Sequence, residues 1–258
     1  GDPNIPITVT FSEAVSVTGA PRIQLGVGGT TYATYSSGSG TSELVFTYTI
    51  GAGNNTTDLD YSSVSALEVN SGTIQDAALN DASLTLATPG DVGSISHVSD
   101  IAIDTTSPSV TSVTTTSADG YYKVGGVIDL VVNFSEAVVV TGAPQLTLET
   151  GLTDGVASYT GGSGTAALTF RYTVGAGENA SDLEVVGSSA LSLNSGTVED
   201  AAGNDATLTL SLPTLSAASA IVVDTIDPAV LSVSTTTADG TYKIGDPNIP
   251  ITVTFSEA

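Results

Sequence analysis

Apolar and polar residues alternate along most of this chain with a period of two. Ile7, Val9 and Phe11 fall on one side of an extended segment, and Thr8 and Thr10 fall on the other. Leu130, Val132 and Phe134 repeat that pattern. So do Leu44, Phe46, Tyr48 and Ile50, with their counterparts Leu168, Phe170, Tyr172 and Val174, and the pairs Ile101/Ile103 and Ile221/Val223. A period of two belongs to a strand with one dry face and one wet face. Val, Ile, Thr and Tyr carry the alternation, and Gly, Asn, Asp and Ser interrupt it every 8–12 residues or so, the punctuation of an all-β sandwich or barrel. Helix signals are nearly absent. Two such sheets packed face to face give a β-sandwich.

The pattern also repeats on a longer scale. The segment GDPNIPITVTFSEA occurs unchanged at 1–14 and at 245–258, an offset of 245 − 1 = 244 residues, and a degenerate copy, GGVIDLVVNFSEA, runs from 125 to 137. Between them the order of motifs is conserved. FSEAV (11–15) matches FSEAV (134–138), and TGAP (18–21) matches TGAP (141–144). SALEVNSGTIQDAALNDASLTL (65–86) matches SALSLNSGTVEDAAGNDATLTL (189–210), and IAIDTTSP (101–108) matches IVVDTIDP (221–228). Spacing drifts only in loops, by an insertion near Leu152–Asp154 and a deletion near Pro213–Ala218. Self-similarity at a fixed spacing marks an array. The connectors Asp104–Pro108 and Asp224–Pro228, whose prolines stiffen a short link, delimit the units, 224 − 104 = 120 residues apart.

That length is slightly more than an immunoglobulin domain of about 100 residues. The Cys…Trp…Cys core is missing, since the chain has no Cys and no Trp. The expected fold is therefore all-β, a tandem of immunoglobulin-like β-sandwich repeats. Residues 1–106 form a unit lacking its first strand, 107–227 a complete unit, and 228–258 the first strands of a third. By alignment with Val110–Thr116, the first strand of a unit is Val230–Thr236. An unpaired edge recruits a partner. Either these residues are a window on a continuous array, or the tail of one molecule completes the first unit of the next. The duplicated strand favours the array, because in an exchange both copies would compete for one slot.

Composition narrows the function. There are 27 acidic residues against four basic ones, Arg22, Lys123, Arg171 and Lys243, for a net charge of −23. Such a surface argues against nucleic acid and anionic membrane, and suits solvation or the collection of cations. Disorder is excluded by the apolar content, 40%, falling in regular alternation. Absence of cysteine is compatible with export, and no apolar run reaches the ~18–20 residues of a membrane span.

Three acidic motifs recur once per unit. The first is the strand-ending Phe-Ser-Glu, with Glu13, Glu136 and Glu257. The second is the turn Asp76-Ala-Ala-Leu-Asn80 and its partner Asp200-Ala-Ala-Gly-Asn204. The third is the connector aspartate, Asp104 or Asp224, joined by Asp227. Gathered carboxylates repel one another unless a cation sits among them. Oxygen donors without His or Cys point to Ca²⁺ rather than zinc. The competing reading is that Asp and Asn merely satisfy local backbone N–H groups in turns. Leu79 stands where the second unit has Gly203, so a turn needing positive φ is less favoured there. A further polar set, Asn54, Asn55, Asp58 and Asp60 against Glu178, Asn179, Asp182 and Glu184, reads as a plain loop more readily than as a site. Lys123 and Lys243 follow Tyr in Gly-bounded segments that read as exposed strand ends, unlike the buried lysine of an isopeptide crosslink.

FSEA, DAAGN and the connectors DTTSP and DTIDP resemble the bacterial immunoglobulin-like repeats of giant secreted and cell-surface adhesins. The resemblance covers essentially the whole chain. It implies structural Ca²⁺ near the links between repeats, held by Glu136, Asp200 and Asp224 in the complete unit and by Glu13, Asp76 and Asp104 in the first. It also implies an extracellular or cell-surface location. The expected role is a non-enzymatic spacer or stalk of a long adhesin-like protein. Its partners would be the neighbouring repeats, with any surface glycan or protein met through another region, and with no nucleic acid and no membrane insertion in this segment. His97, the lone histidine, reads as a solvated loop residue, and aromatics at 5% offer no sugar-stacking platform. Two alternatives remain. One is a self-assembling surface filament or surface layer. The other is a glycan- or host-protein-binding module with loops such as 26–31 and 151–154 as its contact surface.

Overall fold

The computed structural model describes residues 4–211 and 215–257. The deletion near Pro213–Ala218 therefore lies partly outside the described residues. The chain is nearly all-β, with curled sheets, and forms two compact units. One comprises 1–108 with 199–206, and the other 109–198 with 207–258. No helix among the described residues is long and apolar enough to cross a membrane.

The first unit contains β1 (Ile5–Thr18), β2 (Arg22–Leu25), β3 (Thr31–Ser37), β4 (Thr41–Tyr48), β5 (Leu67–Glu68) and β6 (Thr73–Gln75), followed by a single-turn helix α1 (Ile95–Val98). Its sheet runs in the order β5-β2-β3-β4-β1-β6. β1 pairs antiparallel with β4, Ile7 opposite Phe46 and Val9 opposite Leu44. Period two then sends Leu44, Phe46 and Tyr48 to the same side, and all three are fully buried with Ile23, Leu25 and Leu59. The returning segment supplies the other half of the core through Leu59, Tyr61, Ala66 and Ile103. Ile7 is buried, but Val9 and Phe11, expected on the dry face, are only half-buried.

In the second unit the strands are β7 (Val110–Thr115), β8 (Gly120–Tyr122), β9 (Val127–Thr141), β10 (Gln145–Glu149), β11 (Gly155–Gly161) and β12 (Thr165–Thr173), then β13 (Glu184–Val185), β14 (Leu191–Ser192), β15 (Thr197–Glu199) and β16 (Ile221–Val223). Last come β17 (Val230–Ser234) and β18 (Thr252–Phe255). The large sheet runs β13-β10-β11-β12-β9-β15, with β7 also paired to β9 and β14 to β10. Here the alternation is buried along its whole length: Ile128, Leu130 and Val132 are fully inaccessible and Phe134 nearly so. β16 pairs parallel with β8. In the first unit Ile101–Ile103 has no such partner strand among the described residues; Ile103 bridges Thr56, and the Ile101 carbonyl accepts the Leu59 N–H. β17 pairs antiparallel with β18, and every described residue of both is exposed.

Two motifs that repeat in sequence prove to be halves of one contact. TGAP ends β1 and NSG precedes β6. Asn70 and Ser71 take φ of 46° and 66°, and Asn194 and Ser195 take 47° and 67°. Gly72 then lies so close to Thr18 that a Cβ would sit 2.0 Å from the Thr18 carbonyl oxygen, and Gly196 repeats this against Thr141. Only glycine fits there.

Candidate metal centre

The Phe-Ser-Glu motif ends a strand only in its third copy, where β18 stops at Phe255; on β1 and β9 it forms a bulge inside a long strand. On β9 the ladder jumps from Asn133 to Val138 while β12 moves only from Ala167 to Thr165. On β1 the break lies between Thr10 and Val15. A bulge leaves residues unpaired and re-aims their side chains, so Glu136 and Glu13 leave the alternation of the strand. The motif serine has a second task. Ser135 Oγ accepts the Ser109 N–H at 3.0 Å, and Ser135 N–H donates to the Ser109 carbonyl at 2.8 Å. That pair pins the residue just after the connector to the bulge.

The Asp-Ala-Ala-x-Asn turn is a local device built on its aspartate. Asp200 Oδ1 accepts the N–H groups of Ala202 and Asn204 at 2.8 and 2.9 Å, and Oδ2 accepts the Asn204 amide at 2.7 Å. Burial works to raise the Asp200 pKa. The Asn204 amide and the backbone N–H groups of Asn204, Ala202 and Gly203 outweigh it and hold the carboxyl below the usual range. Asp76 makes the same bonds to Ala78 and Asn80 at 2.8, 2.8 and 2.7 Å, and the Asn80 amide leads the groups that lower its pKa. Leu79 adopts φ of 68° where Gly203 has 87°, so the first unit makes the same turn in a region that disfavours leucine.

Asp104 is an exposed connector residue whose Oδ1 accepts the Thr106 N–H at 2.9 Å, and Asp224 does the same for Ile226 at 3.0 Å. The carbonyl of Asp104 accepts a second bond from the Asn204 amide, at 3.2 Å. One carboxylate oxygen from each of Asp104, Glu136 and Asp200 lies within 4.8 Å of the others. Asp104 is exposed, Glu136 half-buried and Asp200 buried. Among the described residues no other set of three His, Cys, Asp or Glu side chains meets that condition. These three can hold a metal ion. Their donors are all hard oxygens, a chemistry shared by several cations. Hydrogen bonds already engage both Asp200 carboxylate oxygens, so an ion there would share the carboxylate with them.

The grouping differs from the sequence alignment in one respect. Glu136 and Asp200 come together with Asp104, of the connector before the unit, not with Asp224 of the connector after it. Asp224 and Asp227 instead line a shallow cleft of ≈ 480 Å³ with Tyr121, Lys123 and Val124. In the first unit Glu13 and Asp76 border one cleft of ≈ 340 Å³ with Asn80 and Asp81. Two functional residues were not singled out by the sequence. Asn204 links the Asp200 carboxylate to the Asp104 carbonyl, and Ser135 positions the connector. Their signal was recurrence alone, as Asn80 and Ser12 occupy the same places in the first unit.

Most of the second polar set is tied into the fold by hydrogen bonds, whereas Asp58 Oδ1 is buried with no partner among the described residues. Asn54 Oδ1 accepts the Tyr48 hydroxyl at 3.0 Å and the Gly51 N–H at 2.9 Å, and Glu178 takes the same two donors from Tyr172 and Gly175. Asn55 and Asn179 accept the N–H groups of Thr105 and Thr225. Asp60 gathers Tyr61, Gly90, Ile95 and Ser96, while Glu184 gathers Leu215 and Ser216. His97 is exposed on α1, and Lys123 and Lys243 are exposed. Compared with known proteins, the chain matches no protein-family model, no curated protein and no solved structure.

Proposed function

We propose that this chain is a run of immunoglobulin-like β-sandwich repeats serving as a non-enzymatic spacer in a long extracellular, adhesin-like protein, with a Ca²⁺ ion at the connector stiffening the array. The observation that carries this reading is the Asp104, Glu136 and Asp200 triad. Its members come from three motifs that recur along the chain, as expected of a device serving repetition and not a single reaction centre. A surface with net charge −23 keeps an extended array soluble. The hydrogen bonds on Asp200 hold its carboxyl below the usual range and favour the charged form that a cation needs.

The ion is expected to bind weakly, on the order of 10⁻⁴–10⁻³ M as in other extracellular modules. Binding to the native state alone stabilises by mass action, about 1.4 kcal/mol at tenfold excess over Kd. Millimolar Ca²⁺ should therefore raise the melting temperature by a few degrees, and chelator should reverse it. A melt indifferent to both, in protein stripped of metal beforehand, defeats the reading.

A further inference from the structure

The second unit holds a cleft that neither its core nor the carboxylate triad uses. It is the ≈ 480 Å³ hollow lined by Tyr121, Lys123, Val124 and residues 224–227 of the connector, and all of these belong to the second unit. That volume falls among ligand clefts, which run from about 300 to 1,000 Å³. Strand pairing builds its floor. β8 and β16 run parallel, with Tyr121 beside Val222 and Tyr122 beside Val223. The Asp224 N–H then donates to the Tyr122 carbonyl at 3.0 Å, which carries the ladder one step into the connector. Asn179 Oδ1 accepts the Thr225 N–H at 2.9 Å, and Asp224 Oδ1 turns the connector by accepting the Ile226 N–H at 3.0 Å. On the other wall the Gly126 N–H donates to the Lys123 carbonyl at 2.8 Å and closes a tight turn. Both walls are therefore tied within the unit, and the cleft is preformed.

The side chains at its mouth are not tied in this way. Tyr121 is 82% exposed, and Val124 and Ile226 on the same cleft are exposed too. The ion pairs among the described residues are Arg22–Glu68 and Arg171–Asp129, so Lys123 shares the cleft with Asp224 and Asp227 without pairing to either. An open connector face is common to both copies, since the matching residues Asp104, Thr106 and Ser107 are exposed with the whole of 109–227 following them. The aromatic ring, by contrast, is not part of the repeat. ADGYYK at 118–123 has Tyr121 where ADGTYK at 238–243 has Thr241. A ring that the core does not bury and the repeat does not require is available to a ligand.

We propose that this cleft binds one neutral pyranose unit of a glycan. Neutrality follows from the charges, because Lys123 repels a cation and the two aspartates repel an anion. A pyranose matches what remains. Its C–H face lies on the Tyr121 ring with Val124 and Ile226 as an apolar rim. Its hydroxyls donate to the carboxylates of Asp224 and Asp227 and accept from the Lys123 ammonium. Each hydroxyl both donates and accepts, so one sugar ring satisfies groups of both signs. Aromatics at 5% concealed this platform, since a single ring suffices. None of Asp104, Glu136 and Asp200 lines the cleft, so the inference stands apart from the cation reading.

Saturation-transfer NMR on the 258-residue chain in chelator tests it, so that failure to bind a cation has no bearing on the result. The probes are the methyl glycosides of glucose, galactose, mannose, fucose and N-acetylglucosamine at millimolar concentration. At least one should receive saturation, on the C–H protons of one ring face. Tyr121→Thr, which copies Thr241, should abolish the transfer without lowering the melting temperature, because the ring is exposed. Tyr121→Phe should keep it. Asp227→Asn should weaken binding about tenfold, the loss of one hydrogen bond to a charged group. Silence from the whole panel overturns the proposal, and so does transfer that survives Tyr121→Thr. Binding of lysine or arginine methyl ester in place of the sugars would overturn it as well, by showing that the two aspartates outweigh Lys123.

Discussion

The two units carry nearly the same strands, yet the same side chains differ in burial between them. Ile128, Leu130, Val132 and Phe134 of β9 are buried, whereas of Ile5, Ile7, Val9 and Phe11 on β1 only Ile7 is. The difference extends to the opposing wall, where Leu210, Leu215 and Ile221 are buried and Leu86, Ile95 and Ile101 are half-buried. Alternation in the sequence is identical, so the difference lies in what covers it. β7 seals the second unit, and β8 gives Ile221–Val223 a ladder to join. Amphipathic pattern therefore specifies which face is dry, and a single added strand decides whether it becomes dry.

The largest test of that contrast is a matched pair of truncations. Phe134→Ala removes a buried ring and should cost about 3–5 kcal/mol. Phe11→Ala removes a half-buried one and should cost about half as much or less. Urea unfolding, with hydrogen exchange to separate the two units, measures both. Equal costs would break the comparison.

A second pair concerns the strand tyrosines. Tyr172 donates to a carboxylate, Glu178, whereas Tyr48 donates to the neutral amide of Asn54. Tyr172→Phe should cost about 1.5–3 kcal/mol, the range for a hydrogen bond to a charged group, and Tyr48→Phe about 1 kcal/mol. Burial first, and then the bond and charge of Glu178, push the Tyr172 pKa upward. A raised folded value favours the protonated phenol. Its contribution is thus full below about pH 10, the unfolded value, and is lost as pH rises through the folded value. Ultraviolet titration should show Tyr172 ionising only with unfolding; a phenol that titrates early in the native state contradicts the geometry.

The smallest effect lies in the acidic turns. Leu79 is 74% exposed with φ of 68°, so Leu79→Gly loses little packing and relieves about 1–2 kcal/mol of left-handed strain. Gly203→Leu should lose a similar amount at the matching turn. Thermal melts of the two variants check the sign, and destabilisation by Leu79→Gly would show that the leucine side chain contributes packing.

Much of this was legible beforehand because its causes are local. Period two located the core of both sheets, and Asx chemistry made Asp76 and Asp200 turn residues in any fold. The triad was legible only as three recurring motifs. Which connector aspartate groups with Glu136 is something that no spacing reveals. The loops at Asn54–Asp60 and Glu178–Glu184 drew attention as clustered oxygens, yet Asn54, Asn55, Asp60, Glu178, Asn179 and Glu184 are engaged by hydroxyls and backbone N–H groups around them. A polar residue recruited by neighbours distant in sequence looks the same on paper as one waiting for an ion.

The cation is the central claim, and direct binding tests it most plainly. Equilibrium dialysis of the metal-free chain against radioactive Ca²⁺ should reveal one ion per chain with Kd on the order of 10⁻⁴–10⁻³ M. Glu136→Gln should lose that ion, whereas Glu13→Gln should retain it, since the described residues gather three carboxylates only at Asp104, Glu136 and Asp200. No bound Ca²⁺ at several millimolar, or binding unchanged by Glu136→Gln, would contradict the account.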